Sequence, residues 1–313
     1  MKRVLLLPLL ICVLAPSLRA QSPAPLQLED VFAFQFASAP IVSPDGESVF
    51  YLRNSMDLMK DQRRANIWRV DSDGSGHRPV TTGARNVSSP ALAPDGQRIA
   101  YVDRDDTGAQ IFVSWLRGGE VAQLTRGPQT PKSMSWSPDG RLIAFTMRVP
   151  VEEPTMGELP MAPEGAEWAP QPVVVDRVVY RNDGQGNRQQ AFYQVFVIAA
   201  DGGAPRKLTD GPYDHGGPIA WAPDGDAIYF SANRNEDRAL NVVNSDIHRV
   251  ELASGKLEQI TSSQGPEGSV TVSPDGKLLA YTGWEDGRWS YHRARLYVSN
   301  SDGSERRELL SEL

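Results

Sequence analysis

Glu152 and Glu153 stand side by side in a 313-residue chain, on a stretch that places six prolines between residues 148 and 173. Two adjacent carboxylates projecting into a cavity would hold the free amino terminus of a peptide by charge-assisted hydrogen bonds. The same pair is also what a solvated acidic loop contains, and the sequence leaves both readings open. Arg181, within Tyr180-Arg181-Asn182-Asp183-Gly184, would meet a substrate carbonyl or carboxylate, or else flank a turn. Groups for covalent chemistry do not assemble. There is no Gly-x-Ser-x-Gly elbow for a hydrolase serine. His77, His215, His248 and His292 fall in four different repeats, read as loop or strand-face residues with no zinc-ligating spacing. Asp71-Ser72-Asp73-Gly74-Ser75-Gly76 begins like a calcium loop, but Thr82 occupies the twelfth position where a closing glutamate belongs. Glu152, Glu153 and Arg181 are therefore the nominated substrate-binding residues, with no catalytic residue, metal or cofactor assigned.

The elements that must position them are set by one recurring cassette. Ser135-Trp136-Ser137-Pro138-Asp139-Gly140 returns as Val42-Ser43-Pro44-Asp45-Gly46, Leu92-Ala93-Pro94-Asp95-Gly96, Trp221-Ala222-Pro223-Asp224-Gly225 and Val272-Ser273-Pro274-Asp275-Gly276. Proline fixes φ at the first central position of a turn, aspartate bonds its own backbone, and glycine takes the positive φ that closes the hairpin. A short apolar run follows each copy, such as Ile143-Ala144-Phe145 or Ile228-Tyr229-Phe230, apolar on both faces and so expected to be covered on both. A third strand, a glycine turn and a short outer strand complete each unit. Self-similarity at roughly 40 to 50 residues, all strand and turn, predicts a β-propeller. The fold class is thus all-β, with five visible four-stranded blades over 39–83, 88–127, 133–211, 218–261 and 269–313. The third is lengthened by an insert at 148–173, a long loop of the kind that is often functional.

Residues 1–20 read as a secretory signal peptide, with Lys2 and Arg3 before an apolar run too short to span a bilayer. Residues 21–38 form an entry segment in which Leu28 to Phe32 would begin a short helix. The only cysteine, Cys12, lies inside the leader, so the exported chain would fold without disulfides, in the periplasm or outside the cell. The formal charge is −7, and −10 once the three leader cations go; with no basic run, nucleic acid and anionic membrane are poor partners, and no membrane span is expected.

The cassettes, the endings Leu124-Thr125 and Leu208-Thr209, Ala200-Asp201-Gly202-Gly203-Ala204-Pro205-Arg206 and Pro163-Glu164-Gly165-Ala166-Glu167-Trp168 give the chain a family likeness from about Leu28 onward. It resembles the amino-terminal propeller of bacterial prolyl oligopeptidase family serine peptidases, in their dipeptidyl-peptidase and acylaminoacyl-peptidase branches. The resemblance implies a seven-bladed ring covering an α/β-hydrolase domain that holds Ser, Asp and His, and a propeller that admits short peptides while excluding folded proteins. Five repeats are visible here and Leu313 falls in the outer strand of the fifth. The expectation is therefore a chain truncated before its catalytic domain, inactive alone, with two bare blade faces in an open arc. Its partners would be the missing C-terminal α/β-hydrolase domain and short peptides. A non-enzymatic TolB-like periplasmic propeller that binds protein partners is the alternative, since TolB propellers share the Pro-Asp-Gly cassette.

Overall fold

The structure, a computed structural model, describes residues 25–152, 157, 160–169, 172–184, 186–187 and 189–309; the proposed leader and Glu153 lie outside them. A 3-10 helix over Leu28–Ala33 leads in. Five four-stranded antiparallel sheets then follow in chain order, the blades of a β-propeller. The first is β1 (Phe36–Val42), β2 (Ser48–Asp57), β3 (Gln62–Asp71) and β4 (Arg78–Pro79). The second is β5 (Ser88–Leu92), β6 (Arg98–Asp105), β7 (Gly108–Trp115) and β8 (Val121–Gln123). The third pairs β9 (Lys132–Trp136) and β10 (Leu142–Pro150) with β13 (Ala191–Ala199) and β14 (Arg206–Lys207). The connection between β10 and β13, residues 151–190, extends past the 148–173 insert and carries a two-stranded hairpin, β11 (Arg181–Asn182) and β12 (Gly186–Asn187). The fourth is β15 (His215–Trp221), β16 (Ala227–Ala232), β17 (Asp246–Glu251) and β18 (Leu257–Gln259). The fifth is β19 (Glu267–Val272), β20 (Leu278–Gly283), β21 (Arg295–Asn300) and β22 (Arg307–Leu309).

The cassette glycines Gly46, Gly96, Gly140, Gly225 and Gly276 all take φ between 66° and 79°, the left-handed region their turn demands. They also set the spacing of the blades. A β-carbon on Gly96 would stand 3.3 Å from Pro44 Cδ, one on Gly140 3.8 Å from Pro94 Cδ, one on Gly225 3.9 Å from Pro138 Cδ and one on Gly276 3.6 Å from Pro223 Cδ. Each turn therefore rests on the proline of the turn before it, and only Gly46, at the head of the series, meets nothing within 4 Å.

Each innermost strand is bulged at the same place. Register shifts interrupt β1–β2, β5–β6, β9–β10, β15–β16 and β19–β20, and a left-handed residue sits at each break: Ala39, Ser89, Ser133, Gly217 and Ser269. The extra residue bends the strand into the centre of the stack.

Four apolar cores join neighbouring blades. The residue four places after each cassette aspartate, and the one two further on, pack onto the preceding blade; the residue between them packs onto the following one. Thus Ile99 and Tyr101 meet Phe50 and Leu52, Ile143 and Phe145 meet Ala100, Ile228 and Phe230 meet Ala144, and Leu279 and Tyr281 meet Tyr229. Coverage on both faces, expected of every repeat, holds for the middle blades: β6, β10 and β16 are buried along their centres. It fails at the two ends. Burial alternates along β2, where Val49 and Tyr51 are half exposed, and along β20, where Leu278 is exposed and Ala280 half exposed. Among the described residues no apolar core joins the fifth blade to the first, so these faces have no blade against them.

Candidate functional site

Antiparallel topology sorts the connections onto two edges. Cassette turns and glycine turns lie on one. The β2–β3 type of connection and the links between blades lie on the other, the connection edge, which carries every long loop. The longest is residues 151–190, between β10 and β13. Its root is pinned: Val151 N–H donates to the Gln190 carbonyl at 2.9 Å, and the Arg148 guanidinium donates to the Ala191 carbonyl at 3.0 Å. Glu152 follows directly and is exposed. Arg181 is exposed in the β11–β12 hairpin, opposite Asn187. Among the described residues no ion pair joins Glu152 to Arg181, and Glu153 is not among them.

What the fold does bring together, at the junction of the third and fourth blades, is a set of cations on two tyrosines. Lys132 Nζ lies 5.3 Å from the Tyr193 ring centre and the Arg148 guanidinium 5.9 Å from it. The guanidinium groups of Arg234 and Arg238 lie 4.1 Å and 4.6 Å from the Tyr213 ring centre. His215, fully buried, is the hinge of the set. Its Nδ1 lies 3.2 Å from the Tyr193 carbonyl and its Nε2 2.6 Å from Arg234 Nη1. A carbonyl can only accept and a guanidinium can only donate, so the ring carries its proton on Nδ1 and accepts at Nε2. Burial, reinforced by Arg234, pulls His215 down to about 4. The imidazole is thus neutral, and it orients the Arg234 charge without cancelling it. Burial, with Arg238 close by, also holds the Arg234 guanidinium below its usual value.

Tyr213 is placed by a device that recurs along the chain. Thr209 Oγ1 accepts from Val195 N–H at 2.9 Å and donates to Gln194 Oε1 at 2.8 Å; Gln194 Nε2 then donates to the Gly211 carbonyl at 2.9 Å. Thr81 with Ile67 and Asn66, and Thr125 with Ile111 and Gln110, make the same clasp. The Leu-Thr endings of the sequence are these clasps. In the fourth blade Thr261 keeps the bond to Ile247 N–H, but Asp246 replaces the amide. Asp246 is buried, accepts from Gln259 Nε2 at 3.1 Å and from Ser263 N–H at 3.2 Å, and burial pushes it up to about 6. His248, beside it on β17, is buried as well and lowered by burial. His215 and His248 are strand residues, as expected, but they are buried inside a junction with Phe230 between them. His215 opens the inner strand β15, directly after Tyr213-Asp214.

Residues 178–284 match the family described as the dipeptidyl peptidase IV (DPP IV) N-terminal region. A relative from Bacillus subtilis, uncharacterized peptidase YuxL, is 32% identical over 209 residues, 66% of this chain and 31% of that protein. The acylaminoacyl peptidase of Pyrococcus horikoshii superposes with a TM-score of 0.66 at 18% identity, over 90% of this chain and 40% of that one. A putative TolB from Agrobacterium tumefaciens gives 0.55 at 22% identity, over 88% of this chain and 80% of that one. These two structures establish a shared fold. The chain spans between 31% and 39% of the length of the first three curated relatives it matches.

Proposed function

We propose that this chain, an amino-terminal β-propeller of the prolyl oligopeptidase family, is the substrate-gating portion of an exported serine peptidase that acts on short peptides. The observation that carries the proposal is the sorting of loops: the pinned β10–β13 connection 151–190, with Glu152 and Arg181, and the cation–tyrosine set share one edge of the blades. A peptide crossing that edge meets polar groups able to hold its ends, while the opposite edge carries the cassette and glycine turns. Acyl transfer needs a nucleophile, a base and oxyanion donors in one place, and we assign all three to an α/β-hydrolase domain of the whole peptidase rather than to the residues described above. Glu152, with Glu153, is the proposed receiver of a free amino terminus, and Arg181 of a carbonyl. No helix among the described residues is long and apolar enough to cross a membrane.

The test is to express the whole reading frame and measure cleavage of a ladder of peptides of increasing length, with and without the insert shortened. A length limit that relaxes on shortening supports gating; equal rates at every length overturn it. The chain alone, assayed on aminoacyl and dipeptidyl chromogenic substrates, should turn over nothing. Turnover abolished by a serine-directed phosphonate would place the chemistry here. The TolB likeness, which spans most of that protein, supports the second reading, a propeller that binds protein partners. Absence of a Gly-x-Ser-x-Gly strand-turn-helix from the whole reading frame would decide for it.

A further inference from the structure

Several cations on the blades of this chain have a carboxylate: Arg64 has Asp57, Arg98 has Asp95, Arg249 has Glu251 and Glu258, Arg295 has Glu308. The four on Tyr193 and Tyr213 do not. Among the described residues Lys132, Arg148, Arg234 and Arg238 enter no ion pair, in a chain whose net charge is −7. The acids nearby are otherwise engaged or turned to solvent. Asp214 accepts from Tyr193 N–H at 2.8 Å, Asp210 pairs with Lys207 at 2.9 Å, and Glu236 and Asp237 are exposed on the loop that carries Arg234 and Arg238. Arg234 is the most constrained of the four. It is half buried, fixed by a neutral imidazole and stacked on an aromatic face, so its charge is held in place with nothing to neutralise it.

A half-buried cation left without a counter-charge is costly unless a ligand brings one. We propose that Arg234 and Arg238, with Lys132 and Arg148 across the junction, form a receiving site for a carboxylate, and that its ligand is the carboxyl terminus of a short peptide. The guanidinium forks suit a planar two-oxygen anion, and the two tyrosine rings offer apolar walls to the residue bearing it. The site lies at the root of the insert, with Arg148 four residues before Glu152. A free peptide has an amino terminus for the one and a carboxylate for the other, whereas a segment inside a folded protein has neither. The assignment of a peptide rests on the gating function proposed above; that of an anion rests on the geometry alone.

Calorimetric titration of the chain with Gly-Gly-Phe as the free acid, as its carboxyl amide, and with inorganic phosphate tests it. The free acid should bind about tenfold or more tightly than the amide, the loss expected when a charged hydrogen-bond partner is removed. Arg238→Gln and Lys132→Gln, both on loop or strand-end positions, should each weaken the free acid and leave the amide unchanged, with the melting transition of the chain retained. Equal binding of acid and amide, or free-acid binding indifferent to the Arg238→Gln, Lys132→Gln double variant, overturns the site. Phosphate binding tighter than the free acid and lost in the same variants overturns the peptide assignment. Free-acid binding that obeys the variants, found together with cleavage rates independent of peptide length, sustains the site and sinks gating.

Discussion

The indole of Trp221 crosses the junction of the third and fourth blades and donates to the Ser135 carbonyl at 3.1 Å. Trp136 does the same one junction earlier, to the Ala91 carbonyl at 2.9 Å. Both tryptophans sit three residues before their cassette aspartate and are buried among apolar residues, so each inner strand is fastened to its predecessor by one directed bond inside a dry contact. Trp221→Phe keeps most of the apolar contact and removes the donor. It should lower the stability of the chain by about 1 kcal/mol, read as a shifted urea midpoint at constant slope. An unchanged midpoint would mean the bond contributes nothing.

Thr209→Val removes the hydroxyl that joins Val195 to Gln194 and so frees Tyr213. A loss of roughly 1–3 kcal/mol is expected, because a buried N–H and a buried amide oxygen lose their partner together. Thr209→Ser should restore most of it. If valine and serine behave alike, the clasp is packing and not hydrogen bonding.

The bulges give a prediction of opposite sign. Ser133 holds φ of 51°, which costs a residue with a β-carbon about 1 kcal/mol, whereas Gly217 meets the same demand freely. Ser133→Gly should stabilise by about 0.5–1 kcal/mol and Gly217→Ala should destabilise by a similar amount, read by thermal melts. Same-direction shifts would show that the bulge is not the strained point.

Asp246 and His215 oppose each other in pH. Asp246 titrates near 6 when folded against 3.8 ordinarily, so the folded chain binds the extra proton and stability falls as pH rises from about 4 to 6. His215 titrates near 4 when folded against 6.5, so the unfolded chain binds the extra proton and stability rises as pH rises from about 4 to 6.5; the lowered His248 acts in the same sense. Asp246→Asn removes the falling limb. Its urea midpoint should climb more steeply between pH 4.5 and 6.5 than that of the parent chain, and parallel curves would refute the assignment.

The bare faces predict behaviour in solution. Leu278 and Leu296 are exposed on the fifth blade, and Val49 and Tyr51 are half exposed on the first. The chain should bind a hydrophobic dye and scatter light more as concentration rises. Leu278→Lys with Leu296→Glu should reduce both with little change in stability, since neither residue lies in a junction core. A monodisperse chain blind to the dye would mean the first and fifth blades cover one another.

The turns and blades were legible because their causes are local. Pro138-Asp139-Gly140 dictates its own dihedral angles, and the triplets after each cassette are apolar on both faces, as strands covered on both sides must be. The bulges were not legible: Ala39, Ser89, Ser133 and Ser269 carry no propensity for positive φ and adopt it because the inner strand must bend. The cation set was hidden for another reason. Arg148 and Tyr193 face each other in the β10–β13 register, but Tyr213 and Arg234 come from other segments, and only the docking of the fourth blade on the third brings them beside that pair. The burial of His215, which orients Arg234, is announced by no local pattern.

The insert also bears on the order in which the chain acquires its shape. In the second blade β6 and β7 are joined across Asp106 and Thr107, so that hairpin closes almost at once. In the third, Pro150 must find Ala191 across residues 151–190 before the β10–β13 register can form. Closing a loop some twentyfold longer costs roughly 2.5 kcal/mol more in chain entropy, since each doubling adds about 0.6 kcal/mol. The second and fourth blades can therefore form early as separate nuclei, and the third is the late joint between them. The cation–tyrosine set straddles that joint on the side toward the fourth blade, so the anion site is completed only in the last stage of folding.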